Sequence, residues 1–360
     1  MKVKLLDLAA ETASLDGALE AAAARVLRSG QFILGEEVAA LERAFCERSG
    51  RRAAVGVSSG SDALLVALWA LGVGPGDEVV TTPLSFFATV GAIVRLGARP
   101  IFADIDPATF NLDVDDALRR ITPRTRAIVP VHLFGRPLPL ERLIGSGVPV
   151  IEDAAQAVLS PGVGAGRAAT FSFFPSKNLG AAGDGGLVIT DDVALADKIR
   201  LMRTHGSKPK YVHHQIGGNF RLDAMQAAIL GAKLPHLPAW QAIRASHVAR
   251  YRALLAGLPL VLPDDAPGHV WHHFVVRAPE RDALRAYLGE RGVETEVYYP
   301  LALHLQPCFA DWGGRPGDLP HAERATAELL ALPIHPQLAP GALEYVAEQI
   351  TDFYRARASR

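Results

Sequence analysis

Cysteine is nearly absent: Cys46 and Cys308 are the only two in 360 residues. They give neither a metal-ligand spacing nor a disulfide framework, so a reducing, cytoplasmic setting is expected. Neither sign of charge is in surplus. A net charge of −1 offers no basic field for nucleic acid and no acidic tail, which favours a small-molecule substrate or a protein partner. Although 49% of residues are hydrophobic, no apolar run approaches the roughly 18 to 20 residues that cross a bilayer. The opening segment lacks the apolar stretch of a signal peptide, because Asp7 and Glu11 interrupt it. Twelve histidines are present, but none falls in a His-Glu-x-x-His pattern, and His213 and His214 are adjacent rather than one helical turn apart. A soluble protein without a metal site, a membrane span or a nucleic-acid partner is the expectation.

What the chain does have is alternation. Leu34, Val38, Leu41 and Phe45 recur at helical spacing ahead of Arg51-Arg52. Short β-prone runs then follow at Ala53 to Val57, Glu78 to Thr81, Arg99 to Ala103, Arg126 to Val131 and Val148 to Glu152. Each gap between them is long enough for a helix, and Ser61 to Leu71 is apolar nearly all round. Strands alternating with helices predict an α/β fold with a mostly parallel sheet covered on both faces. Two closely spaced strands, Ala168 to Phe173 and Gly186 to Thr190, are expected to pair antiparallel within that sheet. Helices are predicted at Asp192 to Arg203, Leu222 to Leu234 and Leu237 to Leu255. The last would join a large domain, residues 1–240, to a smaller α+β domain, residues 241–360, with strands near Trp271 to Val276 and Val293 to Tyr298. The N-terminal segment is a candidate to pack with the smaller domain.

Lys177 is the residue around which chemistry gathers. It lies between an apolar strand and a glycine run, in Thr170-Phe-Ser-Phe-Phe-Pro-Ser-Lys-Asn-Leu-Gly180. A desolvated lysine has a lowered pKa and a nucleophilic amine suited to a Schiff base, whereas a lysine taken alone is more often a surface charge. Ser58-Ser-Gly-Ser-Asp62 places small polar residues at a helix start, which fits either a phosphate site or an ordinary N-cap. Glu152-Asp153 ends a strand at the edge where ligands bind in open α/β sheets. Successive strand residues face opposite ways, so only one of the two carboxylates can face a given crevice. A buried carboxylate needs a cation, and a protonated pyridine nitrogen would be one; a helix cap at Asp153 is the plainer alternative. Phe86 could stack on a flat heterocycle or belong to the core. Asn219 and Arg221 precede another helix and read as anion ligands or caps.

The ordered motifs Ser-Ser-Gly-Ser-Asp-Ala-Leu, Glu-Asp-Ala-Ala-Gln, Phe-Ser-Phe-Phe-Pro-Ser-Lys-Asn-Leu-Gly and Gly-Gly-Asn-Phe-Arg-Leu-Asp resemble the DegT/DnrJ/EryC1/StrS nucleotide-sugar aminotransferases. The likeness runs from Leu6-Asp7-Leu8 to about Pro333 and includes Val131-His-Leu-Phe-Gly135 and Tyr298-Tyr-Pro300 with His304 and Gln306. It implies the fold type I, aspartate-aminotransferase-like architecture: a large domain with a mixed sheet between helices, and a smaller C-terminal α+β domain. It implies pyridoxal 5'-phosphate as cofactor and a homodimer with shared active sites. Lys177 matches the family's Schiff-base lysine and Asp153 the carboxylate facing the pyridine nitrogen. Gln156 matches the glutamine on the ring's phenolic side and Phe86 the stacking aromatic. Ser172, Gly60 and Ser61 match phosphate ligands, and Asn219 matches an asparagine reaching the phosphate from the neighbouring subunit. His213, Arg221, Tyr298 and His304 are further candidates for contacts with the sugar nucleotide or donor carboxylate.

The implied reaction moves an amine from an amino-acid donor, commonly L-glutamate, to a keto sugar on a nucleoside diphosphate. The Pro175-Ser-Lys-Asn-Leu-Gly180 and Gly183-Asp-Gly-Gly186 runs are similar to those of members that aminate carbon 3, with Ser176 in place of the usual glycine. Amination of a 4-keto sugar is the alternative within the family, and a non-catalytic, cofactor-binding sensor is the alternative outside it. Sugar deoxygenases of the family carry histidine where Lys177 stands, which argues against that chemistry. The Val158 to Arg167 segment reads as shorter than the family's usual hairpin, a change that would reshape the sugar pocket.

Overall fold

Strands of three to five residues, most of them rich in valine, isoleucine and alanine, build the central sheet, and their side chains alternate between its two faces. The computed structural model describes residues 1–312 and 314–358. Its first seven strands are β1 (Ala53–Val57), β2 (Glu78–Thr81), β3 (Arg99–Phe102), β4 (Thr125–Val129), β5 (Ile151–Asp153), β6 (Ala168–Ser172) and β7 (Gly186–Thr190). Ladders pair β3-β2-β4 and β1-β7-β6-β5, and the parallel bridges Ile128–Val150 and Val131–Asp153 join β4 to β5. The order is therefore β3-β2-β4-β5-β6-β7-β1. Among these seven strands β7 alone runs against the rest, pairing antiparallel with both β6 and β1.

Two apolar layers cover the sheet. On one face Val55, Val57, Ala168 and Val188 pack against the Gly60–Leu71 helix, seven of whose residues from Ala63 to Ala70 are buried. On the other, Ala54, Phe171, Leu187 and Ile189 meet Val38, Leu41 and Phe45 of the Glu36–Ser49 helix. Phe45 sits 5.7 Å from Phe171 and 5.5 Å from Phe173, ring centre to ring centre. Each such buried side chain contributes about 1.5–3 kcal/mol relative to exposure. This packing holds β6, and the Lys177 turn that follows it, as a rigid platform.

Beyond the Leu237–Leu254 helix, a separate apolar cluster gathers Tyr251, Phe274, Leu284, Leu288, Val346, Ile350 and Phe353 around an antiparallel pair, β8 (Phe274–Arg277) and β9 (Leu329–Leu332). Val3 belongs to this cluster and bridges to Val293. The expected Val293 to Tyr298 strand does not form. Val293 and Glu296 make single bridges, to Val3 and Ala331, and the stretch has no continuous partner with which to build a ladder. The strand expected from Trp271 begins at Phe274, because Trp271 takes a left-handed backbone with φ of 50°. Among the described residues no helix is long and apolar enough to cross a membrane.

Candidate active site

Parallel strands bring their C-terminal ends to one edge of the sheet, and the crevice lies there. β1 delivers Ser58 and Ser59 to the start of the Gly60–Leu71 helix, where Ser59 Oγ accepts the Asp62 amide at 3.0 Å. Ser58 Oγ donates to Asp62 Oδ2 at 2.6 Å. Ser172, ending β6, packs against this turn so tightly that a Cβ on Gly60 would lie 2.5 Å from Ser172 Cβ. Gly186 opens β7 between Val57 and Ser172, and a Cβ there would come within 2.2 Å of the Ser59 carbonyl oxygen. Two glycines thus let a helix N-terminus, with its free amides, meet the Ser172 hydroxyl in a cradle fitted to a phosphate. Arg221 bridges to Val57 beside it, and its Nε is buried without a hydrogen-bond partner among the described residues.

The two strand-end carboxylates part company as the pleat requires. Asp153 accepts Thr89 Oγ1 at 2.7 Å and the Ala155 amide at 3.1 Å. Ser85 backs Thr89, hydroxyl to hydroxyl, at 2.8 Å. Burial pushes the Asp153 carboxyl pKa up, against these hydrogen bonds and the nearby charge of Lys177. Glu152 points to the other face. His132 Nδ1 accepts the Leu138 amide, so its Nε2 carries the proton and donates to Glu152 at 2.8 Å. The Gly164 and Gly166 amides donate to the same carboxylate at 2.8 and 2.6 Å. These residues of the Val158 to Arg167 segment therefore brace the sheet on the face away from Asp153.

Lys177 follows β6 in a tight turn, partly buried, and its Nζ makes no hydrogen bond among the described residues. Loss of water lowers its pKa to about 8, against the opposing pull of Asp153. Near neutral pH a larger share of the amine is therefore neutral than in an ordinary lysine. Asn178 pins the turn: its Nδ2 donates to the Val270 carbonyl at 2.9 Å, and its Oδ1 accepts His272 Nδ1 at 3.1 Å. Gln156 spends its Oε1 on the Phe134 amide and turns its Nε2 to the Tyr299 hydroxyl at 3.3 Å. Phe86 stands 6.3 Å from Tyr299, ring to ring, and remains 60% exposed.

Other expected residues lie elsewhere. Tyr298 stacks on His273 at 4.2 Å, beside Tyr299. His304 is buried, bonded to Glu323 at 3.1 Å, and borders a cavity of about 340 Å³ along β3. His213 and Asn219 are exposed; His213 Nδ1 bonds the His205 carbonyl. Sequence reasoning missed the supports Thr89, Ser85, Asn178 and Tyr299. Only the i, i+4 spacing of Ser85 and Thr89 hinted at the first two.

Residues 14–351 match the DegT/DnrJ/EryC1/StrS aminotransferase family. The chain belongs to that family. It is 49% identical to a pleiotropic regulatory protein of Geobacillus stearothermophilus, with 99% of each chain covered. It is 43% identical to the dTDP-3-amino-3,4,6-trideoxy-alpha-D-glucose transaminase of Streptomyces venezuelae, over 94% of this chain and 92% of the relative. The solved structure of S. venezuelae DesV in complex with a ketimine intermediate superposes with a TM-score of 0.95 at 42% identity, covering 98% of both chains. The enzyme is thus a fold type I aminotransferase, and its cofactor is pyridoxal 5'-phosphate. The crevice fits that group on its own geometry. A glycine-lined cradle suits the phosphate, and an exposed aromatic face is ready for the ring. Among the described residues no cation bonds the buried Asp153 carboxylate, and Lys177 Nζ makes no hydrogen bond.

Proposed function

We propose that this aminotransferase moves the amino group of an amino acid, L-glutamate, to carbon 3 of a keto hexose or hexuronate carried on a nucleoside diphosphate. The pairing of a desolvated Lys177, whose Nζ makes no hydrogen bond among the described residues, with a buried Asp153 carboxyl carries the reading. The carbon-3 assignment rests on the Pro175 to Gly180 and Gly183 to Gly186 runs and on the name of the Streptomyces relative.

When bound, the cofactor supplies an electron sink for the carbon that loses its proton. The chain's residues do the rest. Gly60 and Ser61 amides and the Ser172 hydroxyl would hold the phosphate, and Phe86 would cover one face of the ring. Asp153, whose charged form the Thr89 hydroxyl and Ala155 amide favour against burial, would face the pyridine nitrogen and keep it protonated. Gln156 would donate from Nε2 toward the ring's phenolic oxygen. Lys177 Nζ would bond the cofactor and would be the base that takes up the donor α-proton and gives it back. Arg221, Tyr298, His213 and His304 are assigned more remote contacts with the sugar nucleotide or donor carboxylate. Among them the orphaned Arg221 Nε beside the phosphate cradle supports an anion ligand best.

We further propose that residues 1–240 and 241–360 act as large and small domains and that two copies form a cytoplasmic dimer. Asn219 would then complete the partner's phosphate site. Its exposure supports this, as does the 80% exposure of Tyr211 and Ile216 a few residues earlier in the chain. Incubation with L-glutamate and UDP- or dTDP-linked 3-keto and 4-keto sugars tests the reaction. A 3-amino product with double-displacement kinetics is expected; amine on carbon 4, or none from any sugar, would overturn the substrate assignment.

A further inference from the structure

Two buried cations grip the segments that flank Lys177, and one acid faces both. Lys233 Nζ donates to the Gly180 carbonyl at 2.8 Å, just past the lysine turn, and to Glu11 Oε1 at 2.7 Å. Arg244 Nη1 donates to the carbonyls of Trp271 and His272, each at 3.3 Å, and His272 in turn bonds Asn178, the residue after Lys177. The Glu11 charge also acts on Arg244. All three charged side chains are more than nine-tenths buried, and Glu11 comes from the distant Leu8–Ala13 helix.

That helix is itself held. Asp7 caps it by accepting the Ala10 amide, and Val3 exchanges backbone hydrogen bonds with Gly292 and Glu294. The Lys4 carbonyl accepts His335 Nε2 at 3.2 Å. The N-terminal segment is thus a strap, tied at one end to the β8–β9 side of the molecule and at the other to the lysine turn.

We propose that Glu11 is a positioning residue for Lys177, balancing Lys233 and Arg244 so that both segments around the lysine turn keep one arrangement. A buried cation stripped of its counter-charge draws in water or moves toward it, and either change releases the carbonyl it holds. The inference rests on Lys177 being the lysine that bonds the cofactor. Glu11 acts through geometry alone, since among acids it is Asp153 whose charge bears on Lys177. The other titratable groups coupled to the lysine are His272 and His273.

The test compares Glu11→Gln, Glu11→Asp and the charge-neutral pair Glu11→Gln/Lys233→Met in the full chain. The reactivity of the Lys177 amine toward acetylation, read by peptide mass spectrometry before cofactor is added, gives its titration midpoint. Loosening should move that midpoint from about 8 toward 10.5 in Glu11→Gln and in the double variant, with Glu11→Asp closer to wild type. In the cofactor-loaded enzyme kcat should fall roughly tenfold or more with the donor KM little changed. A lower melting temperature with an unmoved midpoint and unchanged kcat, in either folded variant, would reduce Glu11 to a stabilising residue and overturn the proposal. Cofactor that remains covalently attached in Lys177→Ala would instead overturn the assignment of Lys177.

Discussion

At the scale of single residues, burial does most of the chemistry. The same loss of water moves Lys177 down and Asp153 up, each away from its charged form, and each partly restores the other. The sign for stability follows. Between pH 8 and 10.5 the unfolded chain binds a proton at Lys177 that the folded chain does not, so stability rises with pH through that window. Lys177→Met removes the cost of burying the charge. In cofactor-free protein the variant should be more stable than wild type at pH 7, and urea midpoints should show that advantage shrinking as pH rises toward 10.5. A constant difference across the range would mean the amine is not desolvated. Asp153 was legible in the sequence because a strand-end carboxylate is a local pattern. Thr89, which bonds it from far along the chain, was not, because the i, i+4 spacing of Ser85 and Thr89 hints at their own contact and not at Asp153.

At the scale of elements, β1, β2 and β7 matched the alternating apolar runs residue for residue, since both of their faces are covered. Val293 to Tyr298 carries β-prone Val, Thr and Tyr but makes only isolated bridges, and strand formation depends on pairing that composition does not record. The phosphate cradle depends on close approach between elements. Gly186→Ala would drive a methyl against the Ser59 carbonyl oxygen, separating β7 from the helix start. A stability loss of about 1–3 kcal/mol is expected, together with weaker cofactor binding, both measurable by thermal melting with and without cofactor. Gly145→Ala, at a site with open space around it, is the matched control and should leave both nearly unchanged. Equal effects at the two sites would dismiss the cradle.

At the scale of the whole molecule, the central sheet was readable from alternation and the cofactor from ordered motifs. The Glu11 strap was not, because a buried ion pair between residues 11 and 233 leaves no local trace. A shared-site dimer makes a sharp prediction for mixing. Lys177→Ala and Asn219→Ala protomers, each poorly active alone, should regain activity together, since a mixed dimer rebuilds one intact site. Random exchange in an equal mixture would restore roughly a quarter of the sites. No gain on mixing would place each site within one chain.

The account turns on Lys177, and the most direct measurement is where the cofactor attaches. Enzyme loaded with pyridoxal 5'-phosphate, reduced with borohydride and digested, should carry the phosphopyridoxyl label on the peptide containing Lys177. Lys177→Ala, folded as judged by its melting curve, should carry none. A label on another lysine, or none on the wild-type chain, would contradict the account.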